Sequence, residues 1–269
     1  MKRDLTAGLS CVTQEHNGPH STQLGSARPM PAASSRRSPA RTDTAPLSTL
    51  SLAQAMARLQ ALARPEQLAG MQRFAMHGEA RLGVAVPQLR ALGKALGPNH
   101  ELALQLWDSG VPDAQILASL LAEPQRLSQA QMDHWTLGLQ AWDVCDQACL
   151  NAFRRSPLAW ASIPRWAAAE AEYVRRCAFS LLAVLAVHDK GRADADFIAC
   201  LGLIEAAAGD ERNFVKKSVN WALRQIGKRN PVLRTEAMAA ALRIQAQASR
   251  SARWIAADAL RELRGKAGS

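Results

Sequence analysis

From Ser51 onward, apolar residues recur at three- and four-residue intervals, the period that lays them along one face of an α-helix. The spacing predicts helices over 51–63, 65–77, 86–96, 101–107, 113–122, 128–139, 142–153, 157–169, 173–187, 194–207, 211–228, 231–246 and 251–263. Gly97-Pro98, Gly110, Pro112, Pro124 and Ser156-Pro157 supply the breaks. Val86-Pro87 puts a proline in a first helical turn, where its missing N–H is no loss. About a dozen short helices are too many for one compact bundle, whereas helix pairs returning every 35 to 45 residues or so mark a HEAT-like or armadillo-like stack. The expected fold is therefore all-α, a helical-repeat solenoid with a concave basic face, although no strict sequence repeat is visible.

Composition separates the chain in two. Ser, Thr, Pro, Gly and Arg dominate residues 1–50, which lack the apolar content to build a core and are expected to form a disordered tail. Residues 51–269 remain as one helical-repeat domain. A single Tyr and five Phe in 269 residues favour helices over strands and exclude an all-β reading. Of the +10 formal charge, three units fall on residues 1–50 and seven on the rest. Such a surplus on a folded body points to a polyanionic partner, because phosphates neutralised by lysine and arginine release counterions. Cys145, Cys149, Cys177 and Cys200 sit inside apolar helical patterns and read as small buried hydrophobes. Cys145 and Cys149 stand four apart without a further Cys or His at metal-ligand spacing, so no metal is expected. No apolar run reaches the length of a membrane span, and the start of the chain carries no signal-peptide core.

Three strings hold residues able to do chemistry. On a helical wheel at about 100° per residue, Phe214, Val215, Ser218, Val219, Ala222, Leu223 and Ile226 cover one half of the 211–228 helix. Trp221 falls just outside that stripe, with Lys217 and Arg224 beside it. In the second string Trp142 and Asp146, at i and i+4, share a helix face and place an aromatic platform next to a carboxylate. A carboxylate repels DNA phosphates, so it either pairs with an arginine or serves a centre that becomes positive. The third string holds Arg176, which the wheel points away from the Val174, Ala178, Leu181 and Leu185 stripe, towards a phosphate or towards Asp146. Phosphate loops, nucleophile elbows and paired-histidine metal motifs are not apparent.

These strings together resemble the HEAT-like DNA alkylation repair family of bacterial DNA glycosylases, in its alkylpurine glycosylase D-like branch. The likeness spans about Met71 to Lys266. It rests on Gly83-Val84 through Val86-Pro87-Gln88-Leu89-Arg90, Trp142 to Asp146, Val174-Arg175-Arg176-Cys177-Ala178, and Phe214-Val215-Lys216-Lys217 through Trp221-Ala222-Leu223-Arg224 to Asn230-Pro231. The resemblance implies a monofunctional glycosylase without cofactor that hydrolyses the N-glycosidic bond of cationic alkylated purines, such as 3-methyladenine and 7-methylguanine, in double-stranded DNA. It implies Trp142 and Trp221 as the active-site aromatic pair, Asp146 as the catalytic carboxylate and Arg176 as a DNA contact, with Lys217 and Arg224 as further DNA-binding candidates. A cytoplasmic, nucleoid-associated monomer is the corresponding expectation. The alternative is a catalytically silent HEAT-like module that binds DNA or protein.

Overall fold

A computed structural model describes residues 50–78 and 80–265. The expected tail, and with it the division at residue 50, lies outside the described residues. Thirteen α-helices follow one another without a strand among the described residues: α1 (Leu52–Ala61), α2 (Pro65–Arg73), α3 (Val86–Leu96), α4 (His100–Asp108), α5 (Pro112–Leu121), α6 (Gln129–Leu137), α7 (Trp142–Asn151), α8 (Ala159–Ala167), α9 (Glu172–His188), α10 (Asp194–Ala207), α11 (Asn213–Gly227), α12 (Pro231–Gln245) and α13 (Arg250–Gly265). A 3-10 turn, Phe153–Arg155, follows α7. The all-helical expectation stands.

The helix starts are written in the sequence. Ser51 Oγ accepts from the Gln54 N–H at 3.3 Å while Gln54 Oε1 accepts from the Ser51 N–H at 2.9 Å. Ser128 and Gln131 repeat this reciprocal capping box. Asn99 and Asn230 cap α4 and α12, and prolines occupy the first turns of α2, α3, α5 and α12. The boundaries differ most where a helix was expected to run on. The 65–77 helix stops at Arg73, because the chain turns through positive φ at Ala75 and Gly78. The 142–153 helix gives way to the 3-10 turn before Ser156-Pro157, since a residue preceding proline is pushed out of the helical region.

One continuous row runs α3–α5–α7–α9–α11–α13, each helix packing on the next, with α9 and α11 forming the most extensive pair. In the second layer α10 packs on both α8 and α12, and α4, α8 and α12 lie against the first row. A run of aromatics, Trp107 stacked parallel on Trp135 at 4.1 Å and then Phe153 and Trp166 at tilted angles, fills the space between α4, α6 and α8. α9 is a long, deeply set helix: 12 of its 17 residues are buried, Arg176 and Ser180 among them. A helix buried on nearly every side must satisfy its polar groups internally, and that requirement shapes the site.

Candidate functional site

The site is assembled on three consecutive members of the first row, α7, α9 and α11. Val144, Cys145, Ala148 and Cys149 turn α7 into the core, which leaves Trp142 and Asp146 together on its half-exposed side. Asp146 keeps 20 % of its side-chain surface, whereas Arg176 keeps 6 %. Arg176 Nη2 donates to both carboxylate oxygens, at 2.9 and 3.0 Å, and Ser180 Oγ donates to Oδ1 at 2.9 Å. Ser180 lies one helical turn after Arg176, so one face of α9 carries both donors. Arg176 Nη1 donates to the Phe214 carbonyl at 2.9 Å, which ties α11 into the cluster. The guanidinium carbon also lies 6.0 Å from the centre of the Trp142 ring. Tyr173, stacked on Phe214 with ring centres 5.5 Å apart, closes the α11 side, and burial pushes its phenol up to about 12.

Burial pushes the Asp146 carboxyl up to about 6, with Arg176 and Ser180 pulling the other way. Burial also opposes the charge on Arg176, but the Asp146 and Cys145 charges outweigh it and hold the guanidinium above its ordinary value. Arginine therefore stays cationic throughout, and Asp146 is the member of the pair that titrates near neutrality.

A strap between α2 and α3 braces the start of α7. Phe74 O accepts from Trp142 Nε1 at 2.9 Å, and Arg81 grips Asp143 through two bonds of 2.7 and 3.0 Å. The strap is itself fixed by Asp113, a buried carboxylate in the first turn of α5 that accepts from the N–H groups of Leu82 and Val84, both at 2.7 Å. Gly83 between them has φ +78° and passes so close to the Arg64 carbonyl that an added Cβ would lie 2.5 Å from its oxygen. This packing gives the Gly83-Val84 string a physical reason.

The DNA alkylation repair enzyme family matches over residues 55–263. The chain belongs to that family. A solved structure from a family of proteins related to the HEAT-like repeat DNA glycosylases, with affinity for branched DNA structures, superposes with a TM-score of 0.66 at 19 % identity, covering 80 % of this chain and 97 % of the other. At that identity the likeness establishes the fold, a HEAT-like helical repeat. Comparison with curated proteins gives no significant match.

Within this family member, the structure brings together Trp142, Asp146 and Arg176. Trp221 lies two turns along α11 from Phe214, half-buried against the core. Its Nε1 donates within the helix, to Gln225 Oε1 at 3.1 Å in the amide orientation that also satisfies Lys228. Arg176 is not free to project: it is buried and spent on Asp146 and Phe214. Arg224 is likewise committed, to Glu262 at 2.5 Å and towards Asp258 at 3.6 Å on α13. Lys217 is exposed. Wheel reasoning on α11 missed a second basic face. Arg250, Arg253, Trp254, Arg261 and Arg264 share the outer side of α13, Trp254 is 42 % exposed, and Lys216 of α11 lies 5.2 Å from its ring centre. Their spacings of three, four and seven were legible. Cys177 was missed as a neighbour of Cys145 and Cys149: the three sulfurs lie within 4.8 Å of one another across α7 and α9. A closed zinc site takes four ligands, and this group offers three.

Proposed function

We propose that the protein is a monofunctional DNA glycosylase that removes cationic alkylated purines from duplex DNA, with Asp146 as its catalytic carboxylate. The observation that carries this reading is a carboxylate kept partly open to solvent, oriented from behind by Arg176 and Ser180 and flanked by Trp142. A structural ion pair has no need of that open edge. An N3- or N7-alkylated purine already bears positive charge and departs with little acid help. As the glycosidic bond stretches, positive charge builds on the sugar, and Asp146 stabilises it or positions the attacking water. Trp142 presents a π face to the cationic sugar and lesion. Trp221 then acts as a more distant wall, and Arg176 positions the carboxylate instead of gripping a phosphate. Phosphate contacts fall to Lys217 and to the α13 arginines, with Trp254 between them.

Duplex DNA containing 7-methylguanine should release free base, and Asp146→Asn should slow that release by about a hundredfold or more. Equal rates in the two proteins would remove Asp146 from the mechanism. A second reading, a non-catalytic binder of branched DNA, is favoured by the structural neighbour, which belongs to a family with that affinity. It predicts tighter binding to a four-way junction than to linear duplex of equal length, with no base release from any methylated substrate.

A further inference from the structure

The thiol cluster lies outside the chemistry proposed above. Cys145, Cys149 and Cys177 are fully buried, and none is in a disulfide. Buried cysteines are ordinarily packing residues, and Cys200, alone on α10, fits that description. The trio differs in three respects. Cys149 Sγ and Cys177 Sγ are 3.5 Å apart, in van der Waals contact across two helices. The third sulfur lies within 4.8 Å of both. Cys145 directly precedes Asp146, and Cys177 directly follows Arg176, so the cluster shares its backbone with the carboxylate and its guanidinium partner.

We propose that Cys145, Cys149 and Cys177 form a peroxide-responsive thiol switch that closes a disulfide between α7 and α9, with Cys149–Cys177 as the final bridge. Chemistry within the trio divides the roles. Burial raises the Cys145 thiol, but the neighbouring Cys149 and Cys177 thiols and the Arg176 charge outweigh it and hold it well below its ordinary range. Burial pushes the Cys149 and Cys177 thiols up. The Cys145 thiolate therefore attacks hydrogen peroxide, a molecule small enough to enter through local opening of the fold. The O–O bond breaks, Cys145 becomes a sulfenic acid and hydroxide leaves. Cys177 sulfur displaces that hydroxyl as water, forming Cys145–Cys177. Cys149 then attacks the Cys177 sulfur, and Cys145, the best-stabilised thiolate of the three, departs. In sum, two thiols and one peroxide give one disulfide and two waters.

Bond formation draws the Cys149 and Cys177 sulfurs from 3.5 Å to about 2.0 Å. That movement exceeds the tolerance of about half an ångström within which a catalytic constellation works, so it disturbs Asp146 and Arg176. The disulfide itself does not depend on the glycosylase reading, and its test is separate. The full-length protein is treated with hydrogen peroxide, its free thiols are alkylated, and it is digested without reductant for mass spectrometry. A Cys149–Cys177 crosslinked peptide, two hydrogens lighter than its parts, is expected. Cys149→Ser should leave Cys145–Cys177 as the crosslink instead, and Cys200→Ser should change nothing. Recovery of all three cysteines as alkylated peptides only after unfolding, with no crosslink among them, would overturn the proposal. If base release is measurable, the oxidised protein should lose about tenfold or more, as expected for a displaced catalytic group, and dithiothreitol should restore it. An unchanged rate in fully crosslinked protein would sink the coupling to the site.

Discussion

Asp146 and Asp210 show how one residue type can be set to opposite tasks. At Asp210 burial also opposes the charge, but the donors of Arg212 and Arg175 prevail and hold the carboxyl at about 2. Its contribution to stability is present above the ordinary aspartate value and is lost as pH falls towards 2. Asp146 behaves in reverse. Between 3.8 and about 6 the folded protein keeps a proton that the unfolded chain has released, so this group's stabilisation is lost as pH rises through that window. What is lost in stability is gained in a reactive carboxylate. The rate of base release should rise with pH through about 6 and then level, while Asp146→Asn should unfold more easily than wild type at pH 7 in urea, because it leaves the buried Arg176 charge without its anionic partner. A profile flat from pH 5 to 8 would show that ionised Asp146 is not the working form. Reading the residues from sequence reached this pair only halfway. The i and i+4 spacing put Trp142 and Asp146 on one face, and the arginine partner was one of two options for Asp146. The wheel aimed Arg176 outward because it sees a single apolar stripe, and α9 is enclosed by α7, α8 and α11.

Helices are joined in this protein by surfaces that tolerate very different amounts of change, and its glycines measure the difference. Gly227, the last residue of α11, sits where α11, α12 and α13 converge: an added Cβ would lie 2.7 and 2.8 Å from the Leu263 methyls and 3.1 Å from Ala237 Cβ. Gly227→Ala should therefore destabilise by about 1–3 kcal/mol. Gly202, exposed within α10, meets nothing within 4 Å, so Gly202→Ala should stabilise by about 0.5–1 kcal/mol through helix propensity alone. Urea titration of both variants checks the contrast, and equal effects would mean that the α11–α13 contact is looser than described. The same seam carries Asn220–Asp258, Arg224–Glu262 and Lys228–Glu262. These polar links join residues 34 to 38 apart in sequence, and no local pattern reveals them. This is why α11 could be placed from its apolar period while the fate of Arg224 could not. Helix starts were the most legible feature, since a capping box or a first-turn proline acts within four residues.

For the molecule as a whole, family membership and the HEAT-like fold make DNA the partner to test, and the basic outer face of α13 makes a quantitative claim. If Arg250, Arg253, Arg261 and Arg264 meet phosphates, replacing any two with alanine should flatten the slope of log affinity against log salt by about two, with little change in sequence preference. An unaltered slope would place the DNA elsewhere. The tryptophans supply a way to watch that encounter without a label. Trp107, Trp135 and Trp166 are sealed in the core, and the parallel Trp107–Trp135 stack, with planes 2° apart, is a fixed chromophore pair. Trp142, beside Asp146, and Trp254, on α13, reach solvent. Five of the seven tryptophans thus divide into an inert group and a group at the surfaces proposed to meet DNA, with Trp160 and Trp221 half-buried between them. Added duplex should quench only the red-shifted, acrylamide-accessible emission, and Trp142→Phe and Trp254→Phe should divide that quenching between the lesion site and the flanking grip.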